Sequence, residues 1–433
     1  MTVSITNADV DALQGAVLDA PLHPMDVAGR LGRLRERFPT AAADGGPIDA
    51  LVVTNLTNVR YLTGFTGSAA MLVVTSADPT GTAPAAVLIT DGRYRDQASA
   101  QVEASGASVR VHIVADKQLS AVRDVLVAAG ASRVGLEADA VSWSTQRSIV
   151  EIFAETGHAP EGSGLDAVAT TGVVEELRIT KDLGELDRML RAAAIADQAL
   201  ANVIGLLAGT AQNGTAQNGT AQAQAQVQGS VAGELTEAAF GLALDTEIRR
   251  LGASANSFET IVASGPNGAL PHARPTDRVI RRGDLLVLDF GAVVDGYCSD
   301  MTRTLGIGAP GDLSDRLVAM WNAVLESQAA GVAAVGPGVE SKRVDATCRE
   351  VLERHELLEY FTHSTGHGVG LDIHEAPRVS KPSTATLAPG FVVTVEPGVY
   401  LSPHGGVRIE DTVVVTEDGC RPLTSSPKTL FVA

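Results

Sequence analysis

The sequence predicts an α/β domain followed by an α+β domain, and three observations carry that reading. Up to about residue 165, short apolar runs alternate with helix-patterned runs. After Ser257 the apolar runs arrive in hairpin spacing, so the second sheet is expected to be largely antiparallel. Between them lie one long helical pattern and a low-complexity tract, which punctuate the boundary. A chain of 433 residues is long enough for two cores.

Residues 1–27 read as a loose extension, and 28–165 as the α/β domain. Its strands are expected at 48–53, 70–74, 85–89, 109–114 and 133–136, with helices at 94–102, 119–129 and 144–154. Residues 166–208 form a connecting segment. Within it Leu186, Met189, Leu190, Ala193 and Ala196 recur at helical spacing, predicting a helix over 183–207 placed to join the domains and to serve as the first helix of the second. The tract 209–229 repeats GTAQN and has no apolar face, so it reads as a flexible surface insertion. Its two Asn-Gly-Thr sequons, at Asn213 and Asn218, are expected to stay unused without a secretory leader. The second domain, 230–433, opens on a helix to about Arg250. Its strands are expected at 260–263, 285–289, 298–305, 391–396 and 407–415.

Acids outnumber bases, 51 to 33, for a formal charge of −18. No Lys/Arg block offsets that excess, which argues against nucleic-acid binding and suits the gathering of cations. Three widely spaced cysteines without a CxxC pair predict a reducing compartment. No secretory leader or membrane span is read from the sequence, so a cytoplasmic location is expected.

The chemistry concentrates in the second domain. In LLVLDFGAVVDGYCSDMTRT, 285–304, Asp295-Gly296 is a strong hairpin signal. It sets Val294 opposite Tyr297 and Asp289 opposite Thr302, with Asp300 one diagonal step from Asp289 on the same face. Two acids so placed either share a cation or proton, or lie exposed on an edge hairpin. HSTGHGVGLDIHE, 363–375, sets His367 between glycines, with His374 seven positions on. A β-branched run ends at Glu396, where Pro397-Gly398 stops it. Glu410 lies in a second such run with Arg408 two residues before it, a ligand or half of an Arg–Glu surface pair. His272 sits in a Gly/Pro-rich loop. One imidazole and four carboxylates suit Mn2+, Co2+ or Fe2+ and can hold Zn2+.

The order Asp289, Asp300, His367, Glu396, Glu410, with the first two eleven positions apart, resembles the pita-bread metallopeptidases: aminopeptidase P, prolidase and methionine aminopeptidase. NVRYLTGFTGS (58–68) and TDGRYRDQA (90–98) are similar to the amino-terminal domain of the proline-specific branch. The resemblance implies a creatinase/prolidase-type amino-terminal domain and a pita-bread catalytic domain. It implies two divalent ions, Mn2+ foremost, held by those five residues and sharing a hydroxide. It makes His272 a substrate-side histidine, His374 a second catalytic histidine, Glu396 the proton acceptor, and Arg378 and Arg408 substrate contacts. It also implies a homodimer or higher homo-oligomer acting on proline-containing peptides. An Xaa-Pro aminopeptidase is the first expectation and an Xaa-Pro dipeptidase the alternative. A non-catalytic binding protein or a metal-free amidinohydrolase on this fold would have lost ligands, and here all five are intact.

Overall fold

The computed structural model describes residues 4–15, 20–76, 85–155, 164–211 and 234–431. It divides into two compact units, Met25–Arg178 and Met1–Pro24 with Ile179–Ala433.

The first unit is built on a six-stranded mixed sheet. Its order is Arg110–Val114, Ala86–Asp91, Ala70–Thr75, Ala50–Val53, Arg133–Glu137 and Asp166–Thr170. Val52, Val73, Val87 and Ile89 pack against Val122 and Leu126 of helix Gln118–Ala128 and Ile149 and Phe153 of helix Trp143–Ala154. The expected strands and helices are present, but the unit runs on to Arg178 rather than ending at 165. The missing strand, Asp166–Thr170, is a half-exposed edge paired in parallel with Arg133–Glu137, so its apolar signal is weak. Helix Leu56–Thr63 was also not expected. Asn55 caps it by accepting the Thr57 N–H at 3.0 Å, and Gly64 ends it at φ +76°.

In the second unit, helix Leu183–Val203 starts with a capping box between Asp182 and Glu185. It opens the stretch of this unit that begins at Ile179, as expected. Its Ile195, Ala199 and Val203 join Phe240, Leu244 and Ile248 of helix Glu237–Arg250 in a core over Leu286 and Leu288. The stretch Leu183–Ala208 has the length and mean hydropathy, 1.3, of a membrane span, contrary to expectation. Half of it is buried among these neighbours, as in a core helix. Helix Gly205–Ala211 takes in the first three residues of the low-complexity tract; 212–229, with both sequons, lies outside the described residues.

The amino terminus is not a loose extension. Helix Asn7–Gln14 buries Val10 and Leu13, and the Ile5 carbonyl accepts the Glu417 N–H at 2.8 Å. Its low hydrophobic content concealed that docking, which two apolar residues and a capping box at Thr6 and Asp9 achieve.

Among the described residues the strands of this unit pair antiparallel, with one isolated parallel bridge between Gly306 and Phe431, in line with the largely antiparallel expectation. A five-stranded sheet runs Glu375–Val379, Gly366–Gly368, Val392–Val395, Asp411–Thr416, Gly419–Pro422; a three-stranded one runs Met301–Gly306, Leu285–Phe290, Ile261–Ser264. Two helices absent from the strand-rich expectation back them. Asp315–Ala334 packs Trp321 and Val324 on Val399 and Val407, and Ser341–Arg354 packs Val344 and Cys348 on Val393 and Val413.

The 285–304 hairpin has the expected register, Val294 opposite Tyr297 and Thr302 opposite Asp289. Asp295 and Gly296 both have positive φ, 43° and 78°, as a tight hairpin turn demands. Both arms break midway, however. Gly291 on one arm and Ser299 with Asp300 on the other belong to no strand, and the chain passes there between two three-stranded sheets. A Cβ at Gly291 would overlap the Ser299 carbonyl oxygen, so only glycine admits this kink. Gly291→Ala is therefore expected to lower the unfolding free energy by about 1–3 kcal/mol, measured by urea denaturation.

Candidate metal centre

All five expected ligands lie at the end, the break or the narrow middle of a strand. Asp289 is the penultimate residue of Leu285–Phe290, and Asp300 stands in the facing kink. His367 is the centre of the three-residue strand Gly366–Gly368. Glu396 follows Val392–Val395, its N–H fixed on the Thr365 carbonyl at 2.8 Å. Glu410 occupies the two-residue link between Gly405–Arg408 and Asp411–Thr416, where the chain changes sheets. Arg408 and Glu410 nonetheless share a face, as their spacing implied, for both meet the Thr302 hydroxyl.

Carboxylate oxygens of Asp289, Asp300 and Glu410 lie within 4.8 Å of one another, and all three residues are buried. His367 joins them, its Nε2 lying 3.6 Å from Asp300 Oδ2 and 3.4 Å from Glu396 Oε1. His367 Nδ1 is 2.9 Å from the Gly368 carbonyl, which can only accept; the proton is on Nδ1 and the Nε2 lone pair faces the carboxylates. Burial pushes this imidazole down to about 4, which keeps it neutral, the form that binds a metal.

Burial also pushes the Asp300 carboxyl well above its usual range, and Glu410, Asp289 and Glu396 add to the rise. Glu410 is raised likewise by burial, then by Glu396 and Asp289. Burial pushes Glu396 up to about 8. The repulsion leaves a mark in the hydrogen bonds. Asp289 Oδ1 and Glu410 Oε1 are buried and have no hydrogen-bond partner among the described residues. Their other oxygens are satisfied, Glu410 Oε2 by the Thr302 hydroxyl at 2.6 Å and Asp289 Oδ2 by Arg408. Buried carboxylate oxygens left without a partner, in a cluster joined by a neutral imidazole, are what divalent cations satisfy, so the residues present fit the metal ions.

Arg408 has a different task from the substrate contact expected of it. It is buried, and Thr302, Pro271, Tyr400 and Asp289 engage all three of its nitrogens. Burial works against its charge, but Tyr400, Asp289, Glu396 and Glu410 outweigh that and hold its proton more tightly than usual. Through the Pro271 carbonyl it also tethers the loop that carries His272. Beyond it lies a chain the sequence reading did not single out. Tyr400 Oη accepts from Arg408 Nη1 at 2.7 Å and lies 3.0 Å from His363 Nε2, while His363 Nδ1 meets the Ser364 carbonyl at 2.8 Å. The available signal was the HSTGH spacing, a second histidine four residues before the ligand.

His272, His374 and Arg378 are exposed. The His374 ring lies 4.5 Å from that of His367. Arg378 and His272 both lower the proton affinity of His374, after the larger effect of its burial, so the three lie near one another.

A buried pocket of one imidazole and four carboxylates of this kind defines a metal-dependent hydrolase. Residues 187–417 match Metallopeptidase family M24, and 30–180 match the creatinase/prolidase N-terminal domain. The chain is 37% identical to the uncharacterized peptidase YqhT of Bacillus subtilis, covering 93% of this chain and 99% of that one. Among solved structures, the Xaa-Pro dipeptidase from Bacillus anthracis aligns with TM-score 0.79 at 34% identity, over 94% of this chain and 100% of that one. The X-Pro aminopeptidase from Thermotoga maritima aligns with TM-score 0.73 at 31% identity, over 89% and 98%. The chain belongs to the M24 metallopeptidases, in the Xaa-Pro peptidase branch, with the pita-bread fold.

Two outcomes follow from the charges. Arg408→Met, which leaves Asp289 buried without its cation, is expected to cost the metal-free protein about 3–5 kcal/mol. Saturating Mn2+ should recover part of that loss, read from urea midpoints with and without metal. Secondly, Glu396 rises from an ordinary 4.5 to about 8 on folding. The folded metal-free chain thus binds this proton more tightly than the unfolded one. The stabilisation is complete below 4.5 and is lost as pH rises to about 8. Glu396→Gln should flatten the decline in stability across that window.

Proposed function

We propose that the chain hydrolyses the bond between an amino-terminal residue and proline, with Xaa-Pro dipeptides as its first substrates. The observation that carries the hydrolytic reading is the buried cluster of Asp289, Asp300 and Glu410, with two orphaned oxygens, beside His367 and Glu396. These five residues would hold two divalent ions, Mn2+ ahead of Co2+, Fe2+ or Zn2+ given the oxygen-rich donor set. When bound, the ions supply a Lewis acid and water acidified to hydroxide at neutral pH.

The remaining work falls to the chain. Thr394 holds Glu396 Oε1 at 3.2 Å, leaving Oε2 to take the nucleophile's proton and pass it to the leaving nitrogen. His374 donates a hydrogen bond to the developing oxyanion, and His272 borders the substrate. An Xaa-Pro bond is a tertiary amide with no N–H, so a site that works on the carbonyl, without gripping that N–H, suits it.

The preference for dipeptides rests on Arg378. It is exposed and beside His374, and it has no ion-pair partner among the described residues. A free guanidinium there matches the carboxylate of a dipeptide's proline. The amino-terminal domain does not favour the aminopeptidase, because its family model spans creatinases and prolidases alike. Cleavage of longer peptides is the second reading, supported by the likeness to the Thermotoga enzyme.

Hydrolysis of Gly-Pro and Gly-Pro-Ala in Mn2+ separates the two. Gly-Pro should be cleaved with the higher kcat/KM. Arg378→Ala should raise its KM about tenfold or more, the loss of a charge-assisted hydrogen bond, and leave the tripeptide unaffected. Faster tripeptide cleavage, indifferent to Arg378→Ala, would establish the aminopeptidase instead.

A further inference from the structure

Apart from the carboxylate cluster, the second unit buries a separate ion pair close to the site. Lys181 Nζ donates to Glu375 Oε2 at 3.0 Å, with side chains only 1% and 7% exposed. A buried pair of this kind adds little net stability, since desolvation consumes most of the attraction, and two apolar side chains would fill the same room. What it does supply is a fixed geometry, and its position gives that geometry a use.

Glu375 follows His374 directly. It pairs with Gly368 at the base of the loop 369–374, whose last residue is His374. The Glu375 carboxylate folds back into its own loop. Oε1 accepts the Asp372 N–H at 3.1 Å, and a Cβ on Gly370 would come within 2.5 Å of Oε2. From outside, the Cys298 N–H holds the Gly370 carbonyl at 2.8 Å. Lys181 is itself pinned, its N–H on the Gly390 carbonyl at 2.9 Å and its ammonium 3.4 Å from the Ile179 carbonyl. The loop is thus clamped from within by a carboxylate that a fixed ammonium holds in place. His374 emerges from that clamp with its ring 4.5 Å from His367.

We propose that Lys181 and Glu375 are positioning residues, whose buried pair sets the His374 imidazole against the reacting carbonyl. The proposal rests on the role given to His374 above. The test is the paired change Lys181→Met with Glu375→Gln, which removes both charges of the pair together rather than stranding one of them. The amide can still accept the Asp372 N–H. It is made in the full chain and on a His374→Ala background, with Gly-Pro as substrate.

The paired change is expected to lower kcat about tenfold, the scale of a slightly misplaced catalytic group, with KM altered by less than about twofold. Mn2+ affinity of the metal-free protein, measured by calorimetry, should stay unchanged, because the five metal ligands are untouched. On the His374→Ala background the paired change should cost nothing further. A full kcat in the paired variant while His374→Ala is slow overturns the role of the pair alone. So does an equal tenfold loss on both backgrounds, or a parallel fall in Mn2+ affinity. A His374→Ala enzyme at the wild-type rate overturns the role of His374, and the pair's role with it.

Discussion

Four carboxylates, those of Asp289, Asp300, Glu396 and Glu410, share one pocket, and among the described residues Arg408 is the cation fixed among them. Arg408 binds Asp289 directly, and Thr302 and Tyr400 bind Arg408 in turn. One guanidinium cannot neutralise four acids. Protons or metal ions must supply the rest, which is why three of the carboxyls hold their protons unusually tightly in the metal-free chain. Occupation by metal is expected to stabilise the arrangement, so folding and metal affinity draw on the same interaction.

The strands meet this constraint through their interruptions. A continuous hairpin from Leu285 to Leu305 would have kept Asp300 in the ladder, pointing where the pleat dictates. The kink at Gly291 and Ser299 frees it. The link at Ile409 and Glu410 does the same for the opposite wall, and behind it Arg303 bonds the Thr302, Glu410 and Ser426 carbonyls and the Asp411 carboxylate. A second tier of buried charge therefore holds the backbone that aims the first.

The ligands were legible because their spacing and the Asp295-Gly296 turn are local signals, and the register they implied is the register observed. Arg408 and Glu410 share a face, as their spacing implied, but the carboxylate that engages Arg408, that of Asp289, lies 119 positions away and left no local signal. Tyr400 and His363 were passed over for a related reason. Each is an ordinary aromatic or histidine until the fold closes 37 positions of sequence between them. Asp166–Thr170 escaped notice as an edge strand with little apolar content, and helix Asn7–Gln14 because two buried side chains leave almost no periodicity to read. What sequence conveys poorly here is contact between distant segments, and most of what supports the ligands is of that kind.

The docking of the first residues on the last strands makes the first unit, Met25–Arg178, an insertion within the second. The catalytic unit's covalent thread leaves after Pro24, and its remaining part begins only at Ile179. Ile5 then waits for Glu417, more than four hundred positions later, before its carbonyl finds a partner. On a ribosome the inserted unit is complete long before its host, so it folds first, and the metal-binding unit is finished only when the carboxyl-terminal strands emerge. Termination between Arg178 and those strands would leave the first unit whole and the metal-binding unit without its closing strands.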